Sequence, residues 1–114
     1  MSGLTSRNKG RRGEREAVNI LTERGYSIIE LGPGRKTEDI VAADDHGIMY
    51  SVEVKNHLVW TLCAWRKQAK EQARKRKCNW MLLARVPNHP ATFYVESTNH
   101  RPCVWRGNGA QEGD

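Results

Sequence analysis

Three acidic residues of the chain fall at positions that a folded domain is expected to bury. Asp39 is followed directly by two apolar β-branched residues, and Glu53 stands between two valines. Glu14 lies in a helix predicted over residues 13–24, about 40° from the centre of its apolar stripe, whereas Glu16 lies about 120° from that centre. We therefore expect Glu14 to point toward the sheet and Glu16 to point toward solvent.

The chemistry open to these carboxylates depends on what neutralises them. Converging carboxylates repel one another, and burial without a cation is costly. A bound divalent ion removes that repulsion, and Mg²⁺ prefers oxygen ligands while keeping several waters. Lys55, two residues after Glu53, adds a positive charge that could orient a water nucleophile or bind a phosphoryl oxygen. These residue types together predict metal-assisted hydrolysis of a phosphodiester.

An ordinary ion pair is the alternative interpretation of the same residues. Glu53 and Lys55 are predicted to share one face of a strand, where they could simply neutralise each other on a half-exposed sheet. For any one acid alone, the ion-pair interpretation is favoured. For Glu14, Asp39, Glu53 and Lys55 together, with basic segments alongside, the nuclease interpretation is favoured.

The charge is unevenly distributed along the 114 residues. The formal net charge is +6, but residues 1–12 hold four bases and no acid, and residues 66–77 hold seven bases and one acid. The remainder of the chain holds 8 of the 19 bases and 12 of the 13 acids. An acidic body with two basic segments is typical of a protein that holds a polyanion near a cluster of carboxylates.

Hydrophobic periodicity predicts a single α/β domain that could assemble these residues. The predicted elements are a helix over 13–24, strands over 26–31, 38–43 and 48–55, a helix over 60–77, and strands over 80–86 and 91–96, with a short last strand over 103–106 as an option. This order, αβββαββ, predicts a central mixed sheet flanked by helices. A hairpin turn at residues 44–47 would pair the second and third strands and bring Asp39 and Glu53 to the same end of both.

Side-chain alternation in the third strand decides which residues share a face. The predicted faces are Ile48, Tyr50, Val52 and Val54 on one side, and Met49, Ser51, Glu53 and Lys55 on the other. The segment 80–86 is almost entirely apolar, which predicts a strand buried on both faces. Trp65 and Trp80 are expected in the core, whereas Trp60 and Trp105 are candidates for a dimer contact or for stacking on DNA bases.

Several classes of protein are excluded by composition. No segment approaches the roughly 20 apolar residues of a membrane span, and the N-terminus lacks the apolar core of a signal peptide. The three cysteines, Cys63, Cys78 and Cys103, are widely spaced and form neither a disulfide framework nor a zinc-ribbon pattern. Cys63 and Cys78 are expected to act as small buried hydrophobes. A reducing cytoplasm, of a bacterium, an archaeon or a phage host, is the expected location.

The ordered set of motif residues resembles the PD-(D/E)XK nuclease superfamily, and within it the archaeal-type Holliday junction resolvases, over about residues 9–96. The resemblance rests on Gly13-Glu14, Gly25-Tyr26, the loop Arg35-Lys36 before Asp39, Glu53-Val54-Lys55, and Gln68-Ala69. Two departures stand out. Glu38 occupies the place of the family's proline before the aspartate, and Asn56-His57 follows the lysine where the resolvases often have a serine.

The resemblance implies a restriction-endonuclease-like core and a function for each motif residue. Asp39 and Glu53 would bind Mg²⁺ together with the carbonyl of Val54, and Mn²⁺ would be able to substitute. Lys55 would orient or activate the attacking water, and Glu14 would contribute to the metal site. Gln68 would be the supporting polar residue, with Gln72 one turn later as the less favoured choice.

Taken together, sequence and resemblance predict a Mg²⁺-dependent, structure-selective DNA endonuclease that acts as a homodimer on branched DNA. The nuclease domain would span residues 13–106, between a basic flexible arm over 1–12 and a disordered tail over 107–114. The residues expected to bind DNA are basic: Arg7, Lys9, Arg11, Arg12, Arg35, Lys36, Arg66, Lys67, Lys70 and Arg74. The alternatives are a restriction- or repair-type endonuclease acting on duplex DNA, and a non-catalytic DNA-binding module on the same fold.

Overall fold

A computed structural model of the chain describes the backbone of residues 2–31 and 40–108, and the side chains of residues 12–30 and 40–108. The elements are α1 (Ser2–Glu23), β1 (Ser27–Leu31), β2 (Ile40–Ala43), β3 (Met49–Lys55), α2 (Leu62–Arg76), β4 (Asn79–Arg85), β5 (Thr92–Ser97) and β6 (His100–Arg106). The predicted helices and strands are all present, and apart from the start of α1 their bounds lie within a few residues of those expected. The optional last strand is a full seven-residue strand.

The first helix is longer than its apolar stripe predicts. It begins at Ser2 rather than near residue 13 and therefore includes most of the basic segment 1–12. The flexibility expected for that segment stays a prediction. At the other end the helix stops at Gly25, whose φ of 91° is a left-handed conformation that glycine adopts without strain. The backbone N–H of Tyr26 donates to the carbonyl of Leu21 at 2.9 Å and closes the helix end.

The six strands form one mixed sheet in the order β1-β2-β3-β4-β5-β6. Neighbouring strands are antiparallel except β3 and β4, which are parallel because α2 crosses between them. The predicted hairpin joins β2 to β3. Asp44 closes it by accepting hydrogen bonds through Oδ1 from the backbone N–H groups of His46 and Ile48, each at 2.9 Å.

One face of the sheet packs against α1. Ala17, Ile20 and Leu21 of the helix share a buried cluster with alternate residues of the strands, among them Ile40, Ala42, Tyr50, Val52, Met81, Leu83, Phe93, Val95 and Trp105. Val54 packs against the same cluster. The predicted alternation of β3 is therefore confirmed. Trp105 is only 6% exposed, so the expected surface function for this tryptophan is wrong.

The opposite face of the sheet packs against α2. Trp65 and Ala69 meet Leu82 and Ala84 of β4, with Trp60, Leu62, Trp80 and Tyr94 packed around them. Because β4 is buried on both faces, its residues 81–84 are fully inaccessible, as the apolar run predicted. Cys63 is exposed on α2, so the expectation that it is a buried hydrophobe is wrong. Neither helix of the described residues is long and apolar enough to cross a membrane.

Candidate active site

The end of β3 carries a buried ion pair. Glu53 is 3% exposed, and its Oε2 lies 3.2 Å from Nζ of Lys55, whose side chain is 16% exposed. Since Tyr50, Val52 and Val54 point into the α1 side of the core, Glu53 and Lys55 lie on the face covered by α2. The pair is thus held at the last residues of a central strand, on a face that the sequence predicted to be shared by these two side chains.

The strand next to this pair is β2, and its register ends beside Glu53. Ile40 pairs with Val52, and Val41 pairs with Ser51. Asp39 precedes Ile40 in the chain, but it lies outside the described residues, as do Arg35, Lys36 and Glu38. The structure does describe the residue next to Asp39 and the residue next to Glu53. These two residues, Ile40 and Val52, are paired across β2 and β3.

The first helix reaches the same end of β3. A Cβ built on Gly13 would lie 3.1 Å from Cβ of Asn56, the residue that follows Lys55. A side chain at position 13 would require Asn56 to shift by a few tenths of an ångström, so the glycine lets the helix pass close to Asn56. Glu14, the next residue, is half-buried. The glycine and the glutamate that the sequence singled out thus lie on the part of α1 that contacts the end of β3.

Glu16 is not the solvent-facing residue that the helical wheel predicted. Its Oε1 accepts a hydrogen bond from Nε of Arg85 at 2.7 Å and another from the backbone N–H of Ala91 at 3.3 Å. The side chains of Glu16 and Arg85 are 20% and 12% exposed. The prediction failed because β4 and the turn after it extend past the apolar stripe and cover the flank of the helix. No local pattern in the sequence indicated that Arg85 would supply the partner.

The second helix runs over the face that holds Glu53 and Lys55. Its first turns lie at the active-site end, where the rings of His57 and Trp65 have centroids 5.5 Å apart. Its last turn lies at the opposite end of β3, where Nη1 of Arg76 donates to Oγ of Ser51 at 3.3 Å. Gln68 and Gln72 lie between these two contacts. Gln68 is exposed and Gln72 is half-buried.

The donor set suits a hard divalent cation. The residues at the end of β3 and in the middle of α1 offer carboxylate oxygens and no thiolate, which is the chemistry that Mg²⁺ and Mn²⁺ accept. Within the described parts of the chain, no group of three or more acidic, histidine or cysteine side chains is close enough to hold a metal ion. Glu53 is a predicted carboxylate ligand that the structure places in a buried position beside a cation.

The predicted DNA-binding residues on α2 differ in their surroundings. Lys67, Lys70 and Arg74 are exposed. Nζ of Lys70 lies 5.4 Å from the ring centroid of Trp80, and Arg74 pairs with Glu71 on the helix surface. Arg66, by contrast, is half-buried and forms an ion pair with Glu96.

Both carboxylate oxygens of Glu96 accept from Nε of Arg66 at 3.0 Å, and Nη2 of Arg66 lies 2.9 Å from Oε1. Hydrogen bonding to Glu96 raises the pKa of Arg66. On α1, Arg12 is exposed. The remaining predicted contacts, the side chains of Arg7, Lys9, Arg11, Arg35 and Lys36, lie outside the described residues.

A known protein family matches most of the chain. Residues 5–100 match the family described as archaeal Holliday junction resolvase (hjc), a span that includes most of α1, the whole of β1 to β5, and every predicted catalytic residue. No curated protein matches the chain. The matched span covers far more than half of the 114 residues. The chain therefore belongs to the archaeal Holliday junction resolvase family, within the PD-(D/E)XK nucleases.

Proposed function

We propose that this protein is a Mg²⁺-dependent endonuclease that hydrolyses phosphodiesters in branched DNA, with its active site at the end of β3. The observation that carries the proposal is the buried Glu53–Lys55 pair, at 3.2 Å, in a chain of the resolvase family. Burying a carboxylate and an ammonium group at a strand end contributes little net stability. A catalytic function explains why both charges are retained there.

Asp39 is the proposed second carboxylate of the site. Consecutive Cα atoms are about 3.8 Å apart, so Asp39 cannot be far from Ile40, which pairs with Val52. If the antiparallel ladder continues by one residue, Asp39 is opposite Glu53 and on the same face of the sheet. Two carboxylates so placed would repel each other unless a cation lies between them.

Asp39, Glu53 and the carbonyl of Val54 are the proposed protein ligands of Mg²⁺, with Mn²⁺ as a substitute. The ion, when bound, supplies Lewis-acid stabilisation of the phosphate and lowers the pKa of bound water. Glu14 contributes from α1, whose approach to Asn56 brings it to this end of β3. Its carboxylate can accept a hydrogen bond from a water in the site.

Lys55 positions the nucleophile in this proposal. Its Nζ is held by Glu53 Oε2, so two of its three N–H donors remain for a water molecule and a phosphoryl oxygen. A fixed ammonium group aimed at the phosphate stabilises the charge that develops during displacement. Gln68 is the proposed supporting residue on α2, where its amide can orient the same water. Gln72, which is half-buried, is the alternative for this function.

The charges outside the site fit a DNA substrate. Lys67, Lys70 and Arg74 lie on the exposed side of α2, which covers the active-site face, and Arg12 is exposed on α1. Such contacts with phosphates supply affinity without reading sequence. We further propose a homodimer, because one chain provides one site and symmetric cleavage of two strands requires two.

Cleavage of a synthetic four-way junction tests the proposal. The full chain with Mg²⁺ should cut the junction, whereas Asp39→Ala and Glu53→Ala should bind it and leave it intact. Asp45→Ala is the matched control, because Asp45 lies in the β2–β3 turn with its side chain 80% exposed. If the wild type and the variants are equally inactive on junction, flap and duplex DNA, the proposed endonuclease activity is contradicted. Faster cleavage of duplex than of junction would contradict the branched substrate.

A further inference from the structure

Two consecutive apolar residues project into solvent next to the proposed active site. Leu58 is 71% exposed and Val59 is 79% exposed. Both side chains are more exposed than any other large hydrophobic side chain of the described residues. They lie in the loop between β3 and α2, three and four residues after Lys55. Single exposed hydrophobes are common on protein surfaces, but an adjacent pair at the rim of a site indicates a contact.

Contacts made by Trp60 hold the loop in a conformation that directs these two side chains outward. Nε1 of Trp60 donates to the backbone carbonyl of His57 at 3.0 Å, which closes the chain across Leu58 and Val59. The Trp60 ring lies 5.9 Å from the ring of Trp65 and 5.8 Å from that of Tyr94. Trp60 packs against the α2 side of the core, so the loop is anchored on one side of the exposed pair. The tip of the loop, Leu58 and Val59, therefore has little conformational freedom left to lose on binding.

Exposed cations lie on the two helices that reach the loop holding Leu58 and Val59. Arg12 and Arg15 are exposed on the part of α1 that meets Asn56, and Lys67 is exposed on the first turns of α2. An exposed apolar pair on a surface that also carries exposed cations complements a DNA branch, where phosphates surround a base pair that has lost one stacking neighbour. Apolar side chains that pack on or between bases are a recurrent means of binding distorted DNA.

We infer that Leu58 and Val59 form a wedge that packs against the unstacked base pair at a DNA branch point. The inference rests on the proposed function and names the element of the site that selects branched over continuous DNA. In a continuous duplex every base pair is stacked on both sides, so the wedge has nothing to contact without unstacking a step. Contact with a branch therefore adds affinity that duplex DNA does not receive.

A second copy of the chain is the less favoured occupant of this surface. A stable interface buries about 800 Å² on each partner, far more than two side chains present. The exposed cations on α1 and α2 would also repel their counterparts on another copy. The same charges favour DNA.

The test compares a wedge variant with a matched surface variant on two DNA substrates. The wedge variant is Leu58→Ser with Val59→Ser in the full chain, and the control is Val104→Ser, a 55% exposed residue on β6. Affinity for a four-way junction and for a duplex of the same arms is measured without divalent cation, so that cleavage does not interfere. The wedge variant should lose about 10-fold or more in junction affinity and less than about 2-fold in duplex affinity.

An apolar double variant, a fluorescent base at the branch point and a measurement of oligomeric mass complete the test. Leu58→Met with Val59→Ile should keep the junction preference, because the surface remains apolar. A fluorescent adenine analogue at the branch point should report the contact with the wild type and lose the signal with the serine variant. An unchanged junction preference in the serine variant would overturn the wedge, and so would a change in oligomeric mass. If the wild type itself shows no junction preference, the branched substrate is the part of the proposed function that fails, and the wedge fails with it.

Discussion

Nζ of Lys55 and Oε2 of Glu53 lie 3.2 Å apart on the buried face of β3. The two residues are two positions apart on one strand, so their side chains project from the same face. Helix α2 packs over this face and excludes most water from both side chains. Their coupling is therefore stronger than that of a surface pair.

Removing the lysine should destabilise the protein more than removing both charges. Lys55→Met takes the cation away from a buried carboxylate, so we expect the free energy of unfolding to fall by about 3 kcal/mol. The double variant Glu53→Gln with Lys55→Met should recover part of that loss. Urea denaturation without divalent ions measures the coupling, and additive losses in the double variant would show that the two charges do not interact.

The pair between Glu16 and Arg85 should anchor α1 to the sheet. Both side chains are largely buried, and Glu16 also accepts from the N–H of Ala91. We expect Glu16→Gln to lower the free energy of unfolding by about 1–3 kcal/mol. The control is Glu71→Gln, which breaks an exposed ion pair with Arg74 and should cost less than about 0.5 kcal/mol. Equal losses in thermal unfolding experiments would contradict the anchoring function.

The elements of the fold could be predicted from the sequence because each had a local signal. The alternation from Met49 to Lys55 and the turn after Asp44 together specified the β2–β3 hairpin, and the hairpin set the register that ends at Ile40 and Val52. The helix between β3 and β4 predicted a mixed sheet, and the structure shows that these two strands are its parallel pair. These signals depend on neighbours in the chain, which is why they were sufficient.

The contacts between distant segments could not be predicted in the same way. Glu16 meets Arg85 across 69 residues, and the helical wheel of α1 carries no information about what covers its flank. The approach of Gly13 to Asn56 likewise depends on how the helix crosses the sheet. The exposure of Leu58 and Val59 has the same origin, because a loop's apolar residues are as readily buried as exposed until the packing around Trp60 is known.

Tyr26 should make the protein less stable in strongly alkaline solution. Burial, with smaller contributions from Tyr50 and Asp44, raises the pKa of Tyr26 from its ordinary value of 10.0 to about 12. Folding therefore favours the protonated phenol. The stabilisation is complete below pH 10 and is lost as the pH rises through 12.

Between pH 9 and pH 11.5 the loss from this group should be about 2 kcal/mol. Tyr26→Phe also removes the contact with His100, so the comparison uses the change with pH rather than the absolute stability. Urea denaturation at the two pH values should give a smaller difference for the variant than for the wild type. Equal differences would show that Tyr26 does not titrate at a raised pKa.

The exposed lysines of α2 should contribute to DNA affinity without contributing to DNA selectivity. We expect Lys67→Ala and Lys70→Ala each to weaken binding to junction and duplex by similar factors. Each should also reduce the slope of log affinity against log salt by about 0.9, since one phosphate contact is lost. Arg101→Ala, an exposed residue on β6, is the control and should leave the slope unchanged. A loss confined to the junction would contradict a purely phosphate-directed function.

The most direct measurement of the central claim is a crystal structure of the full chain soaked with Mn²⁺, which can be located by its anomalous scattering. The claim is that Glu53 binds a divalent ion together with Asp39 and the carbonyl of Val54, beside Lys55. The predicted result is one ion coordinated by both carboxylates at the end of β3, and its loss in the Asp39→Asn variant. An ion bound elsewhere, or none at Glu53 in crystals of a protein that cleaves junctions with Mn²⁺, would contradict the proposed active site.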